Sequence, residues 1–101
     1  MSFWIYILEC KDHSYYTGHT DNLEGRLYAH EHGILKCYTS SRLPVKLVFA
    51  EEFATRDDAF HAERQIKGWT RRKKKALIER DWLKLAEYSK SKNQRPSTGS
   101  G

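Results

Sequence analysis

The chain begins with an unbroken apolar segment followed by a polar turn. Phe3 to Cys10 is rich in aromatic and β-branched residues and is apolar on both faces, which is typical of a central strand covered on both sides. Tyr15 to Thr20 has a similar composition, and the intervening Lys11-Asp12-His13-Ser14 has the form of a turn. The two segments are therefore predicted to pair as one β-hairpin.

The spacing of apolar residues then changes to that of a helix. Asp21-Asn22 can cap a first helix, which is predicted from about Leu23 to Glu31 and ends at Gly33. A polar connection over residues 36–41 leads to a third predicted strand, Val45 to Phe53.

Two further helices are predicted after the third strand. Thr55-Arg56-Asp57-Asp58 has the form of a capping box, and the helix that it begins runs to about Lys67 before Gly68. Thr70 can cap an amphipathic helix through about Leu85. The order β-β-α-β-α-α indicates an α/β (α+β) fold with a small three-stranded mixed sheet flanked by helices.

The length and the C-terminal composition suggest one domain with a tail. A chain of 101 residues suits a single compact domain with one core, which we expect over residues 1–88. The polar end of the chain, residues 89–101, cannot bury enough apolar area to order itself, so a disordered tail is expected there.

The first predicted helix carries polar residues on its apolar stripe. Leu23, Arg26, Leu27 and His30 follow the spacing i, i+3, i+4, i+7, which places them on one side of a helix. An arginine and a histidine thus share the stripe with two leucines, and we expect both to face the hairpin.

The second predicted helix places a carboxylate inward. Ala59, Ala62, Glu63 and Ile66 repeat the same spacing. Burying an unpaired carboxylate is costly, so Glu63 requires a cation, a set of strong hydrogen bonds or a wet cleft. A metal ion would supply the cation, and a structural ion pair with Arg26 is the alternative.

Each of these residues also has an ordinary structural interpretation. Tyr6 and Tyr16 fit strands by β-propensity alone, and His30 is compatible with a hydrogen-bonded helix residue. Their coincidence with Arg26 and Glu63 on one small sheet surface favours an active site.

The charge of the chain favours a polyanionic partner. Eighteen Lys and Arg residues against 13 Asp and Glu give a net charge of +5, and between Arg64 and Arg95 there are twelve basic and three acidic residues. A solvated helix face is the simplest interpretation of the basic run, and contact with nucleic-acid phosphates is the functional one. The run comprises Arg71, Arg72, Lys73, Lys74 and Lys75.

Cysteines, histidines and hydropathy exclude several other classes. Cys10 and Cys37 lack a CxxC spacing and are expected to be reduced thiols, and the five histidines show no recognised zinc-ligand spacing. The apolar N-terminus is only as long as a strand and has no basic region before it, so neither a signal peptide nor a membrane span is expected. We therefore expect a soluble, cytoplasmic protein.

The motifs of this chain, taken in order, resemble the GIY-YIG nuclease domain over about residues 3 to 80. They read Y-I-L-x-C-x-D-x-S-x-Y-T-G-x-T, D-N-L, R-L-x-x-H, R-x-P-V-K-L-V and E-R-Q-I-K-G-W. The corresponding segments are Tyr6 to Thr20, Asp21 to Leu23, Arg26 to His30, Arg42 to Val48, and Glu63 to Trp69. The similarity is closest to the small stand-alone bacterial members, although Trp4 replaces the glycine of the first motif and Thr17 the isoleucine of the second.

The resemblance implies a role for each matched residue. Tyr6 and Tyr16 take the places of the motif tyrosines, and Gly18 that of the glycine that closes the turn. Arg26 matches the phosphate-contacting arginine, and Glu63 the ligand of a single metal ion. Two histidines complete the set: His30 at a catalytic helix position, and His19, which stands where many relatives carry a lysine and is expected to contact nucleic acid.

The implied activity is metal-dependent endonucleolytic hydrolysis of DNA, in repair or processing, with weak or structure-biased specificity. One Mg²⁺ or Mn²⁺ is the expected cofactor. Tyr6 is the favoured general base and Tyr16 orients water or phosphate, with the reverse assignment open. RNA remains open as a substrate. Specificity could come from a partner protein or from oligomerisation, and the alternative is action on flexible, flapped or damaged nucleic acid with little preference. The alternative function is a non-catalytic nucleic-acid-binding module with the same fold.

Overall fold

The computed structural model describes residues 2–34 and 38–93, with side chains to Tyr88 after the gap. Cys37 and part of the polar connection before the third strand lie outside the described residues, as do residues 94–101 of the predicted tail. The chain divides into two compact units, Met1–Gly68 and Trp69–Gly101.

A three-stranded sheet forms the centre of the first unit, in the order β2-β1-β3. The strands are β1 (Phe3–Glu9), β2 (Tyr15–Thr20) and β3 (Lys46–Phe53). Ile5 to Leu8 of β1 are all buried, as expected for a strand with apolar side chains on both faces. The hairpin, the central position of its first strand and the α/β class are confirmed.

The sheet is antiparallel throughout, so the prediction of a mixed sheet is wrong. β1 pairs antiparallel with β2 and also with β3. The helical crossover makes β2 and β3 parallel to each other, which would give a mixed sheet if these two strands were neighbours. Since β1 lies between them, no parallel pair forms among the described strands.

The helices of the first unit begin where their N-terminal capping residues predict. In α1 (Leu23–Glu31), the Asn22 side chain accepts a hydrogen bond from the Gly25 N–H at 3.1 Å. In α2 (Arg56–Lys67), the Thr55 hydroxyl accepts one from the Asp58 N–H at 3.1 Å. Both bonds satisfy N–H groups that the first turn of a helix leaves without an intrahelical partner.

The two helices cover different faces of the sheet. Tyr6 and Leu8 of β1 lie on one face and pack into a core with Val45 and with Leu23 and Leu27 of α1. The side chains that alternate with Tyr6 and Leu8 along β1 point to the other face of the sheet. There α2 packs against all three strands. Ala59, Glu63 and Ile66 of α2 are buried.

The second unit contains two helices where one was predicted. They are α3 (Arg71–Ile78) and α4 (Trp82–Asn93), and they pack against each other. The single helix through Leu85 fails because Arg80 adopts a left-handed φ of 55°, and Asp81 then caps α4 by accepting from the Lys84 N–H at 3.2 Å. The backbone is helical to Asn93, beyond the predicted start of the tail at residue 89.

None of the helices in the described ranges combines the length and the apolar composition that crossing a bilayer requires.

Candidate active site

The hairpin register brings the two motif tyrosines together. Tyr6 lies opposite Gly18, and Leu8 lies opposite Tyr16, so the two tyrosines are diagonal neighbours on one face. Their ring centroids are 6.3 Å apart. Tyr6 is only 1% exposed, whereas Tyr16 is half-buried.

Gly18 lies inside β2 and not in a turn, which corrects the prediction from the motif. A Cβ atom at this position would lie 2.6 Å from the Tyr6 Oη, 2.8 Å from its Cζ and 3.3 Å from the Tyr16 Cε2. The two distances to Tyr6 are shorter than van der Waals contact allows, and the distance to Tyr16 is tight. The glycine therefore makes room for the Tyr6 hydroxyl, because the strand pairing places the two residues face to face.

His30 lies at the end of α1 behind the two tyrosines and is 1% exposed. Its Nε2 is 3.0 Å from the Tyr6 Oη, and its Nδ1 is 2.8 Å from the Thr39 Oγ1. Burial lowers the pKa of His30, and the positive charge of Arg26 lowers it further. The ring is therefore neutral at neutral pH, with an oxygen at each nitrogen.

Thr39 was not predicted as part of the site. It lies in a short 3-10 helix, Tyr38–Ser41, within the segment predicted as a polar connection. No sequence spacing indicates its contact with His30, because the two residues belong to different elements.

Arg26 lies one helical turn before His30 and is exposed. Arg26 is one of the residues that line a cleft beside the tyrosines. Within residues 2–34 and 38–88 it has no carboxylate partner within 4.0 Å, so no side chain described there forms an ion pair with it.

Glu63 is 8% exposed and has two positively charged or chargeable neighbours. Its Oε1 contacts the His19 Nδ1, and its Oε2 lies 2.6 Å from the Lys67 Nζ. Burial raises the pKa of Glu63, but hydrogen bonds from Lys67 and His19 outweigh burial and hold the pKa below its usual value. The carboxylate is therefore ionised at neutral pH.

Glu63 pairs with Lys67 and His19 and not with Arg26, the partner in the alternative structural prediction. Lys67 follows Glu63 by one helical turn, a spacing at which side chains on a helix meet. His19 reaches Glu63 from β2, so its side chain contacts a protein carboxylate where contact with nucleic acid was predicted.

A polar cleft of about 310 Å³ joins these side chains. Tyr6 and Tyr16 belong to the α1 face of the sheet and His19 and Glu63 to the α2 face, so the prediction of one sheet surface is wrong. Six of the predicted residues line it: Tyr6, Tyr16, Gly18, His19, Arg26 and Glu63. Thr20, Asp21 and Arg56 also line it and were not predicted, since Asp21 was assigned only to the helix cap. His30 is not among the residues that line the cleft, and it contacts the hydroxyl of Tyr6, which is one of them.

The donor set of the cleft fits a hard cation that keeps most of its water ligands. In the described part of the chain, no group of three or more His, Cys, Asp or Glu side chains is placed to hold a metal ion. The buried carboxylate at the cleft is that of Glu63. The Glu63 carboxylate, the exposed Asp21 carboxylate and the neighbouring hydroxyl oxygens that line the cleft suit an oxygen-preferring ion. They do not suit zinc, which requires several nitrogen or sulfur ligands.

The basic run of the second unit does not form one uniform charged face. Arg71, Arg72 and Lys75 are exposed, and the Arg72 guanidinium lies 4.3 Å from the ring centroid of Tyr88. Lys73 is buried, with its Nζ 4.2 Å from the Trp69 ring. Lys73 therefore departs from the prediction of five basic side chains presented together to phosphates.

Comparison with known proteins places these residues in a family context. Residues 2–76 match the GIY-YIG catalytic domain. The chain is 46% identical over 90 residues to a UPF0213 protein of Clostridium perfringens, covering 89% of this chain and 97% of the relative. It is 41% identical over 92 residues to the UPF0213 protein YazA of Bacillus subtilis, covering 90% and 93%.

Two solution NMR structures are similar to the fold described above. A UPF0213 protein from Bacillus halodurans has 35% identity and a TM-score of 0.53, with 96% of this chain and 100% of that chain covered. A protein from E. faecalis has 35% identity and a TM-score of 0.57, with 82% and 88% covered. GIY-YIG domains form a nuclease superfamily whose members are generally metal-dependent and whose substrates are nucleic acids. The resemblance seen in the motifs is confirmed, and the chain belongs to the GIY-YIG family.

Proposed function

We propose that this protein is a metal-dependent endonuclease that hydrolyses DNA phosphodiester bonds, with weak or structure-biased specificity, in DNA repair or processing. The observation that carries the proposal is a single cleft lined by Tyr6, Tyr16, Arg26 and an ionised Glu63. Phosphodiester hydrolysis requires an activated water and stabilisation of negative charge on the phosphoryl and leaving oxygens. The cleft provides a side chain for each requirement.

Tyr6 is the proposed general base. A tyrosine has an ordinary pKa of about 10, so it needs a partner to accept a proton near neutral pH. The Tyr6 Oη has such a partner in the His30 Nε2 at 3.0 Å. Tyr16 is more exposed to the cleft and is assigned to orienting water or phosphate.

Arg26 is the proposed phosphate ligand. Its exposed guanidinium carries a fixed fork of N–H donors that suits two phosphate oxygens. Lysine at the same position would supply charge without this planar geometry.

Glu63 is the proposed ligand of one Mg²⁺ or Mn²⁺ ion. An ion held there by Glu63 would supply positive charge to offset the negative charge that develops during phosphodiester hydrolysis. Each Glu63 oxygen has one protein partner, Lys67 or His19, and a carboxylate offers about four acceptor positions, so each oxygen keeps a lone pair that an ion could use. A hard ion that retains waters needs no second protein carboxylate.

The size of the cleft supports weak sequence preference. A volume of about 310 Å³ accommodates a phosphate with adjoining sugar and leaves little room to read base edges. We therefore propose that a partner protein supplies specificity, and that the exposed basic residues of α3 add phosphate contacts that do not depend on sequence. DNA is the proposed substrate, with RNA as the alternative that the same chemistry permits. The proposed domain extends over residues 1–88, in a cytoplasmic setting.

A non-catalytic nucleic-acid-binding module is the second candidate. Both oxygens of Glu63 have protein partners, an arrangement that stabilises the carboxylate without any ion. In that case the cleft would bind phosphate through Arg26 without hydrolysing the phosphodiester bond.

Cleavage assays on labelled single-stranded, duplex and flapped DNA, with Mg²⁺ or Mn²⁺, test the proposal. Tyr6→Phe removes only the hydroxyl, and we expect it to lower the cleavage rate by at least about 100-fold, the range of general-base catalysis. Tyr28→Phe is the matched control, because Tyr28 is an exposed tyrosine on α1 outside the cleft. Equal rates for the two variants and wild type would indicate a contaminating nuclease, and binding without cleavage by wild type would favour the second candidate.

A further inference from the structure

We propose that Thr39 is a positioning residue that fixes the His30 ring with its proton on Nδ1, so that Nε2 accepts the hydrogen bond of the Tyr6 hydroxyl. The proposal rests on the function proposed above for Tyr6. It assigns a role to a residue outside the tyrosine, arginine, histidine and glutamate set of the cleft.

The Thr39 side chain is held firmly in place. It is 0% exposed, and its carbonyl oxygen accepts from the Arg42 N–H at 3.0 Å. The Arg42 Nη1 donates to the Tyr38 carbonyl oxygen at 2.9 Å, and its guanidinium stacks 3.9 Å from the centroid of the Tyr38 ring. The Thr39 Oγ1 lies 2.8 Å from the His30 Nδ1, in a turn that these Arg42 contacts hold together.

A neutral imidazole has one N–H donor and one acceptor nitrogen, so its two hydrogen bonds are linked. If the Thr39 oxygen accepts from Nδ1–H, then Nε2 must accept from the Tyr6 hydroxyl. A phenol is a stronger hydrogen-bond donor than an aliphatic alcohol because its proton is more acidic. The imidazole lone pair is therefore best matched by Tyr6, and the N–H by Thr39.

This tautomer gives Tyr6 a route for its own proton. As the water oxygen bonds to phosphorus, the water proton moves to the Tyr6 Oη, and the Tyr6 hydroxyl proton moves to the His30 Nε2. The bond from phosphorus to the leaving oxygen breaks, and that oxygen takes a proton from solvent. The resulting imidazolium donates to both Tyr6 and Thr39, and later returns its proton through Tyr6 to water.

The opposite tautomer would block this route. With the proton on Nε2, the ring would donate to Tyr6 and could not receive its proton. The more acidic Tyr6 hydroxyl and the Thr39 oxygen together select the tautomer, with Thr39 supplying the acceptor that the Nδ1 proton requires.

The first test is the ¹⁵N chemical shifts of the His30 ring in the full chain, measured by NMR at neutral pH without nucleic acid. The expected result is a protonated Nδ1 and an acceptor Nε2. A wild-type ring protonated on Nε2 would overturn the proposal. The measurement needs no cleavage activity, so it decides the tautomer even if the proposed nuclease function fails.

The second test compares Thr39→Val with Thr39→Ser. Valine has the same shape but no oxygen, whereas serine keeps the acceptor. We expect valine to give mixed tautomers and a roughly 10-fold lower kcat with little change in KM, and serine to restore both the shifts and kcat. Wild-type shifts in folded Thr39→Val, or equal losses in the two variants, would show that Thr39 serves packing alone.

Discussion

The cleft of the first unit and the basic run of the second unit gather charged and polar side chains in opposite ways. In the cleft, residues distant in sequence converge, and their polar atoms contact one another: Tyr6 with His30, His30 with Thr39, and Glu63 with His19 and Lys67. In α3, adjacent basic residues diverge, since successive side chains on a helix point about 100° apart.

A high density of charged residues along the sequence therefore does not by itself indicate a site in which polar atoms contact one another. The basic run is the most conspicuous charge feature of the sequence, yet Lys73 lies over Trp69 and Arg72 over Tyr88. The cleft contains fewer charges, but Glu63 is buried and ionised there. Buried polar groups with specific partners are costly to assemble and thus indicate function better than an exposed run.

The largest difference between the two regions is expected when one glutamate in each is exchanged for glutamine. We expect Glu63→Gln to lower cleavage by about 1000-fold, since losing charge stabilisation at the phosphate costs several kcal/mol. Glu79→Gln is the matched change in the second unit, where Glu79 is exposed and 4.0 Å from Lys75, and it should leave the rate unchanged. Equal rates for both variants in a Mg²⁺ cleavage assay would remove Glu63 from the chemistry.

A glycine exchange should sharpen the same contrast at the tyrosine side of the cleft. In Gly18→Ala the added methyl group would displace the Tyr6 hydroxyl. We expect a roughly 100-fold slower reaction, the cost of about 1 Å of misplacement, and about 1–3 kcal/mol lower stability from overpacking.

Gly68→Ala provides the control for that exchange. A Cβ at Gly68 would lie 3.6 Å from the backbone oxygen of Gln65, which is an ordinary van der Waals contact. Urea unfolding and cleavage should both remain near wild type. Full activity in Gly18→Ala would show that the close approach to Tyr6 has no role in the reaction.

The smallest effect is expected from the basic run. Replacing exposed Arg71 and Lys75 together with glutamine should weaken DNA binding a few-fold and reduce the slope of log affinity against log salt by about 2. The same exchange at Lys11 and Lys46, which are exposed in the first unit, is the control. An unchanged salt slope in fluorescence-anisotropy titrations of the α3 variant would show that α3 does not contact phosphates.

The sequence predicts well whatever depends on neighbours along the chain. Asn22, Thr55 and Thr70 are caps as expected, because a cap bonds to a backbone N–H two or three residues away. The inward position of Glu63 followed from helical spacing alone, and its Lys67 partner is at a spacing that the sequence displays.

Features that depend on the approach of distant elements were missed or misassigned. Gly18 was assigned to a turn because its contact with Tyr6 requires the strand register. Thr39 meets His30 across two elements, and the burial of Lys73 depends on where α3 packs. The mixed sheet was wrong for the same reason, since strand order is a property of the assembled fold.

Because Glu63 is paired with Lys67 and His19, we expect the protein to fold without a bound metal ion. In proteins whose metal ligands have no other partners, binding of the ion supplies much of the folding free energy. Here the carboxylate already has compensating contacts on both oxygens. A chelator should therefore abolish the proposed cleavage activity without unfolding the protein. We expect the metal-free protein to remain folded during purification and storage and to become active when the ion is added.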